Sequence, residues 1–129
     1  MSQENIDAFL RSTEAMSRGE VDIPTMAHPD VVFEPLRSGT EGAFVGHEGI
    51  RRFLVDTEEM FEIFQPSYTD VRDLGDCLVA IGSIRIRARG SGVEVDVPTA
   101  AVVQYRDGLL WRYKDYGDAR SAISAAGSR

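Results

Sequence analysis

The segment LLWRYKDYGD, Leu109–Asp118, sorts its side chains into two faces, with Trp111, Tyr113 and Asp115 on one and Arg112, Lys114 and Tyr116 on the other. This alternation predicts a strand over Leu109–Tyr116, and Arg106-Asp107-Gly108 ahead of it predicts a tight hairpin turn. The odd feature is a carboxylate on the aromatic face. Either that face reaches water at Asp115, or the chain encloses a cavity that takes a charge.

Working outward, three strand-like runs precede this one: Ser67–Leu74, Cys77–Arg89 and Val93–Arg106, separated by short Gly-containing turns. Their lengths suit a meander of long, curved, antiparallel strands. Towards the N-terminus the apolar period changes. Ile6, Phe9, Leu10, Thr13 and Met16 predict a helix over 3–18, and a second, short helix is expected over 20–27 before Pro29. Val31–Phe33 predicts a short strand stopped by Pro35, and LRSGTEGAFVG (36–46) reads as a loop or weak hairpin. Ile50, Phe53, Leu54, Thr57, Phe61 and Phe64 predict a helix from His47 to about Ile63. After the final strand, Asp118 is placed to cap a short Ala-rich helix that Gly127 ends.

Helices first and long antiparallel strands after them predict an α+β fold: a cone-shaped, strongly curved, mostly antiparallel sheet with helices packed on its concave side. Such a cone leaves a pocket at its mouth, where small ligands bind. At 129 residues the chain is long enough to bury a core without disulfides, and a single domain over 1–129 is expected.

A net charge of -7 argues against nucleic acid and anionic membrane surfaces as partners. With no apolar run of bilayer length, a soluble, cytoplasmic protein is expected. The lone Cys77 has no internal disulfide partner, and His28 and His47 lack the short spacings of a metal site, so neither a metal nor a cofactor is expected.

If the face of Trp111, Tyr113 and Asp115 is concave, alternation assigns Ser83, Arg85 and Arg87, and on the next strand Val95, Val97, Thr99 and Ala101, to the same interior. Leu78, Ala80, Gly82, Ile84 and Ile86 then fall on the convex face. An apolar stripe there predicts a homodimer through the convex sheet face.

Three local patterns carry a family resemblance: HPDVVFEP (28–35), GHEGIRRFL (46–54) and RDGLLWRYKDYGDARSAISAAG (106–127). Together with the order of elements they resemble the SnoaL-like polyketide cyclase group of the nuclear transport factor 2-like superfamily, which includes ketosteroid isomerases and limonene epoxide hydrolase. The resemblance implies the cystatin-like cone fold and a cavity carboxylate near the end of the last strand doing acid/base work, a position matched by Asp115. The epoxide hydrolase pattern is broken: its Arg-x-Asp pair corresponds to Ser83-Ile84-Arg85, and its cavity Tyr and Asn correspond to Phe33 and Pro35.

Asp115 is the candidate catalytic residue. Burial favours the neutral form of a carboxylate and a neighbouring arginine favours the charged form, so it is either a general acid/base or an anchor paired to Arg85. Arg85, Arg87, Tyr113, Trp111, Phe33, Ser83 and Thr99 are the candidate binding residues. Two functions follow. One is a cofactor-independent cyclase or isomerase in which Asp115 removes a proton alpha to the carbonyl of a hydrophobic compound, with Arg85 or Tyr113 supporting the enolate oxygen. The other is a non-catalytic, dimeric module that holds a small hydrophobic or anionic molecule in the same pocket.

Overall fold

The period of the apolar residues sets the element order found in the computed structural model, which describes residues 2–36 and 42–127. Helix α1 (Ser2–Arg18) and the single turn α2 (Ile23–Met26) lead into strand β1 (Ala27–Glu34) and the short β2 (Phe44–Val45). Helix α3 (Gly46–Met60) is followed by strands β3 (Phe61–Asp73), β4 (Leu78–Ala88), β5 (Glu94–Arg106) and β6 (Leu109–Asp115), and helix α4 (Ala119–Gly127) ends the described chain. The strands form one sheet in the order β2-β1-β6-β5-β4-β3, antiparallel except where β1 runs parallel to β6. The α+β cone expected from the sequence is the fold observed.

Two boundaries differ from the sequence reading, and the hairpin alternative for segment 36–46 holds at its described end. The helix before β1 is confined to Ile23–Met26, and Pro29 lies inside β1, in the irregular stretch of its pairing with β6 between Ala27 and Val32. Proline donates no hydrogen bond, so the ladder tolerates it only there. Phe44 and Val45 pair with Phe33 and Val32, making the end of segment 36–46 a hairpin partner of β1, while 37–41 lie outside the described residues. Helix α3 stops at Met60, where the Phe61 N–H reaches the Thr57 carbonyl, and not near Ile63. Phe61–Gln65 instead pair with Ala88–Arg85 of β4, because the long β4 offers a ladder that aromatic and β-branched residues fill well.

The two-residue turn between β5 and β6 is Asp107-Gly108, both at positive φ (56° and 77°), as a strand-matching hairpin turn requires. It fixes the β5–β6 register, which sets Val103 opposite Tyr113 and Ala101 opposite Asp115. On the other side of β5, Thr99 faces Gly82 and Val97 faces Ile84.

Directly opposed residues share a sheet face, and this corrects the assignment of β4. Leu78, Ala80, Ile84 and Ile86 are on the concave face with Tyr113 and Asp115; Ser83, Arg85 and Arg87 are on the convex face. There Arg85 pairs with Glu94 (2.7 Å) and Asp96 (3.2 Å), and Arg87 with Glu94 (2.7 Å). Further along the convex face helix α4 packs Ala122 and Ala126 on Cys77, Val79, Ala100 and Val102. The apolar stripe from which a convex-face homodimer was expected is therefore pocket wall and core. Among the described residues no helix is long and apolar enough to cross a membrane.

Candidate functional site

The concave face closes into a core at one end and a cavity of about 240 Å³ at the other. That volume lies below the roughly 300–1,000 Å³ of typical drug-sized sites, so the cavity suits a compact ligand. Its wall is apolar over most of its extent: Phe9 and Met16 from α1, Phe53 from α3, Phe64 and Pro66 from β3, Ile84 and Ile86 from β4, Val97 from β5. Phe33, one of the sequence candidates, stands in this wall with its ring 4.7 Å from those of Phe53 and Tyr113.

The polar groups gather where β3, β5 and β6 converge. Asp115 is buried in the pocket wall at 7% exposure. Its Oδ1 accepts the backbone N–H groups of Ala100 (3.1 Å) and Gly117 (2.9 Å), and its Oδ2 accepts the hydroxyl of Thr99. Thr99, fully buried, thus holds the carboxylate from the neighbouring strand. Beside this pair the hydroxyls of Tyr68 and Tyr113 meet at 2.8 Å.

Both phenols resist ionisation. Burial lifts Tyr113 well above the ordinary tyrosine value, with the charges of Tyr68 and Asp115 adding to the rise and Thr99 opposing it. Burial also raises Tyr68, against its hydrogen bond with Tyr113 and with Asp115 again adding to the rise. Near neutral pH the two are uncharged hydroxyls, able to donate to a ligand oxygen in surroundings where such a bond is strong.

Of the remaining sequence candidates, Arg85, Arg87 and Ser83 face away from the cavity. Among the described residues no arginine pairs with Asp115, whose carboxylate is held by one hydroxyl and two backbone amides. Trp111 is also displaced from the wall. The β5–β6 register shifts between Gln104, opposite Arg112, and Tyr105, opposite Leu110, so Trp111 is the extra residue of a β-bulge. Its ring carries the guanidinium carbons of Arg106 (3.7 Å) and Arg112 (4.1 Å), and Leu110 takes its place in the pocket. Cation–π contact with two arginines explains why the largest aromatic ring can lie half-buried outside the core.

Tyr68 and Tyr105 line the cavity and were not among the candidates. A signal for Tyr68 was present: Phe64, Pro66 and Tyr68 alternate with Gln65, Ser67 and Thr69, which places Tyr68 on the apolar face of its strand. His47 bonds the Ala27 carbonyl through Nε2 (2.7 Å), tying the start of α3 to β1. Among the described residues no group of three or more His, Cys, Asp or Glu is placed to hold a metal ion.

The architecture is thus a curved sheet closed by helices over an apolar cavity, with a buried carboxylate at the end of the last strand. The chain belongs to the SnoaL-like domain family, whose model matches residues 7–113. Similar solved structures include TerC co-crystallized with polyporic acid (23% identity, 94% of this chain and 96% of that one, TM-score 0.77). A protein named as a SnoaL-like polyketide cyclase from Shewanella denitrificans is 18% identical over 97% of this chain and 98% of its own, with a TM-score of 0.74. A protein with a ketosteroid isomerase-like fold from Catenulispora acidiphila, in complex with trimethylamine, is 17% identical over 98% and 95%, with a TM-score of 0.73. No curated protein matches the sequence.

Proposed function

We propose that this chain is a small-molecule pocket protein that takes a compact, mostly apolar carbonyl compound with its oxygen at the Tyr68–Tyr113 pair, and that Asp115 accepts a proton from the carbon next to that carbonyl. The observation that carries this reading is the juxtaposition of two uncharged, hydrogen-bonded phenols with a buried carboxylate in an otherwise apolar cavity. Removing a proton alpha to a carbonyl develops charge on the oxygen, and fixed donors aimed at that oxygen stabilise it. The phenols supply the donors and Asp115 the base, a division of labour that needs no cofactor. Cofactor-independent isomerisation or cyclisation is the reaction class. The small ligands of two structural neighbours, polyporic acid in TerC and trimethylamine in the Catenulispora acidiphila protein, support a small molecule as the partner.

A second reading, a binding module without turnover, is favoured by one specific observation. Two backbone amides and Thr99 already occupy the Asp115 carboxylate, an arrangement that also serves to anchor the chain after β6. The two readings separate in a proton-exchange experiment with β-tetralone, a compact bicyclic ketone. In deuterium oxide, acceleration of exchange next to its carbonyl by the protein supports the enzyme, whereas saturable binding with no acceleration supports the module.

A further inference from the structure

The hydroxyl of Tyr105 is buried and has no hydrogen-bond partner among the described residues. A desolvated donor left unpaired costs stability, and native proteins keep few of them. Tyr105 is also in the pocket wall, beside Leu110 and the α1 residues Ser12 and Thr13. Those two hydroxyls donate to their own helix, Ser12 Oγ to the Ala8 carbonyl and Thr13 Oγ1 to the Phe9 carbonyl, each at 3.0 Å, and neither oxygen accepts a hydrogen bond from Tyr105. Burial pushes the Tyr105 phenol up to about 12, against the pull of the Ser12 hydroxyl, which lies close by but short of hydrogen-bond geometry, and of the Arg11 charge, so its hydrogen remains available for donation across the ordinary pH range.

Tyr105 does not belong to the cluster around Asp115. On β5 it lies two residues beyond Val103, the partner of Tyr113, and six beyond Thr99, or ~7 Å and ~20 Å of extended strand respectively. The phenol pair and the Tyr105 hydroxyl are separate polar points in one apolar chamber.

We infer that Tyr105 is a second ligand anchor, donating its hydroxyl hydrogen to a neutral acceptor oxygen at the far end of the bound molecule. Resting on the pocket reading above, this narrows the ligand to a compact ring compound with an oxygen at each end: one received by Tyr68 and Tyr113, the other an ether or carbonyl oxygen received by Tyr105. A charged group in that position is disfavoured by the apolar surroundings.

The test compares two derivatives of β-tetralone that differ in one atom, with a methoxy or an ethyl group on the ring away from the ketone. Their affinities are measured for the wild-type protein and for Tyr105→Phe, together with the melting temperature of each protein without ligand. The wild type is expected to prefer the methoxy compound by about 3- to 10-fold, the effect of one neutral hydrogen bond. Tyr105→Phe should abolish that preference, bind the ethyl compound as before and melt no lower than the wild type, since the lost hydroxyl had no partner. An unchanged preference overturns the inference while leaving the pocket reading intact. A lower melting temperature without ligand also overturns it, because the hydroxyl then has a structural partner. If neither compound binds the wild type, the pocket reading fails and this inference fails with it.

Discussion

The hydroxyls of Tyr68 and Tyr113 meet at 2.8 Å although their strands, β3 and β6, are separated in the sheet by β4 and β5. In a flat sheet strands that far apart lie ~14 Å from one another. Curvature of the sheet closes the gap, and the phenol rings reach across what remains. The polar end of the pocket is thus a product of the bend as well as of the residues placed on it.

Replacing Tyr113 with Phe leaves Tyr68 without its partner and removes one donor from the cavity. β-Tetralone affinity is expected to fall about 5-fold, the loss of one neutral hydrogen bond. Any acceleration of proton exchange is expected to fall more, by about 100-fold, because an oxyanion donor matters most as charge develops. Calorimetric binding and exchange followed by NMR measure the two effects separately.

The close approach of β3 to β4 at Tyr68 requires Gly82. A β-carbon there would meet the Ser67 carbonyl oxygen at 1.9 Å and Tyr68 Cα at 2.8 Å, both backbone atoms that cannot move aside without opening the sheet. Gly82→Ala is expected to cost ~3 kcal/mol in urea denaturation, at the upper end of overpacking effects. Because Tyr68 is carried on the displaced strand, ligand binding should weaken even where the protein remains folded.

Much of this arrangement is readable in the residues, for identifiable reasons. The helical spacing of Ile6, Phe9 and Met16 and the two-residue period of Trp111, Tyr113 and Asp115 differ enough to fix both element types. Phe61 and Phe64 satisfy either period, and only the pairing with β4 decides for a strand. The faces of β4 are the reverse of the alternation-based expectation: burying Arg85 and Arg87 would cost too much, so the alternating Ile84 and Ile86 take the interior. The bulge that turns Trp111 out of the pocket is an offset of one residue between strands and leaves no mark in the local sequence.

Arg85 is about half exposed and engaged with Glu94 and Asp96 on the convex face. Arg85→Ala is expected to leave β-tetralone affinity within experimental error of wild type and to change stability only slightly, as exposed ion pairs do. A pronounced loss of affinity would return Arg85 to the pocket.

Alkali should destabilise the fold through its buried tyrosines. Tyr68, Tyr105 and Tyr113 have folded values raised above the free phenol, so the native state keeps protons that the unfolded chain releases near pH 10. Their stabilisation is whole below that pH and is lost as pH rises toward the folded values, at up to roughly 1.4 kcal/mol per pH unit for each phenol. Urea denaturation across the alkaline range should show this decline, and tyrosinate absorbance should develop together with unfolding. Full phenolate absorbance in a protein still folded near pH 10 would contradict the burial described.

The proton-accepting role of Asp115 is tested most directly by Asp115→Asn, with exchange of the protons next to the β-tetralone carbonyl followed in deuterium oxide. Asparagine is close in size and retains an acceptor oxygen, although Thr99, Ala100 and Gly117 all donate to this side chain. Urea denaturation must therefore show the variant folded. The expected result is acceleration by the wild-type protein, near-unchanged binding by the variant and loss of the acceleration by about 100-fold or more. Equal acceleration by the folded variant, or none by the wild type while the ketone is bound, would contradict a catalytic Asp115.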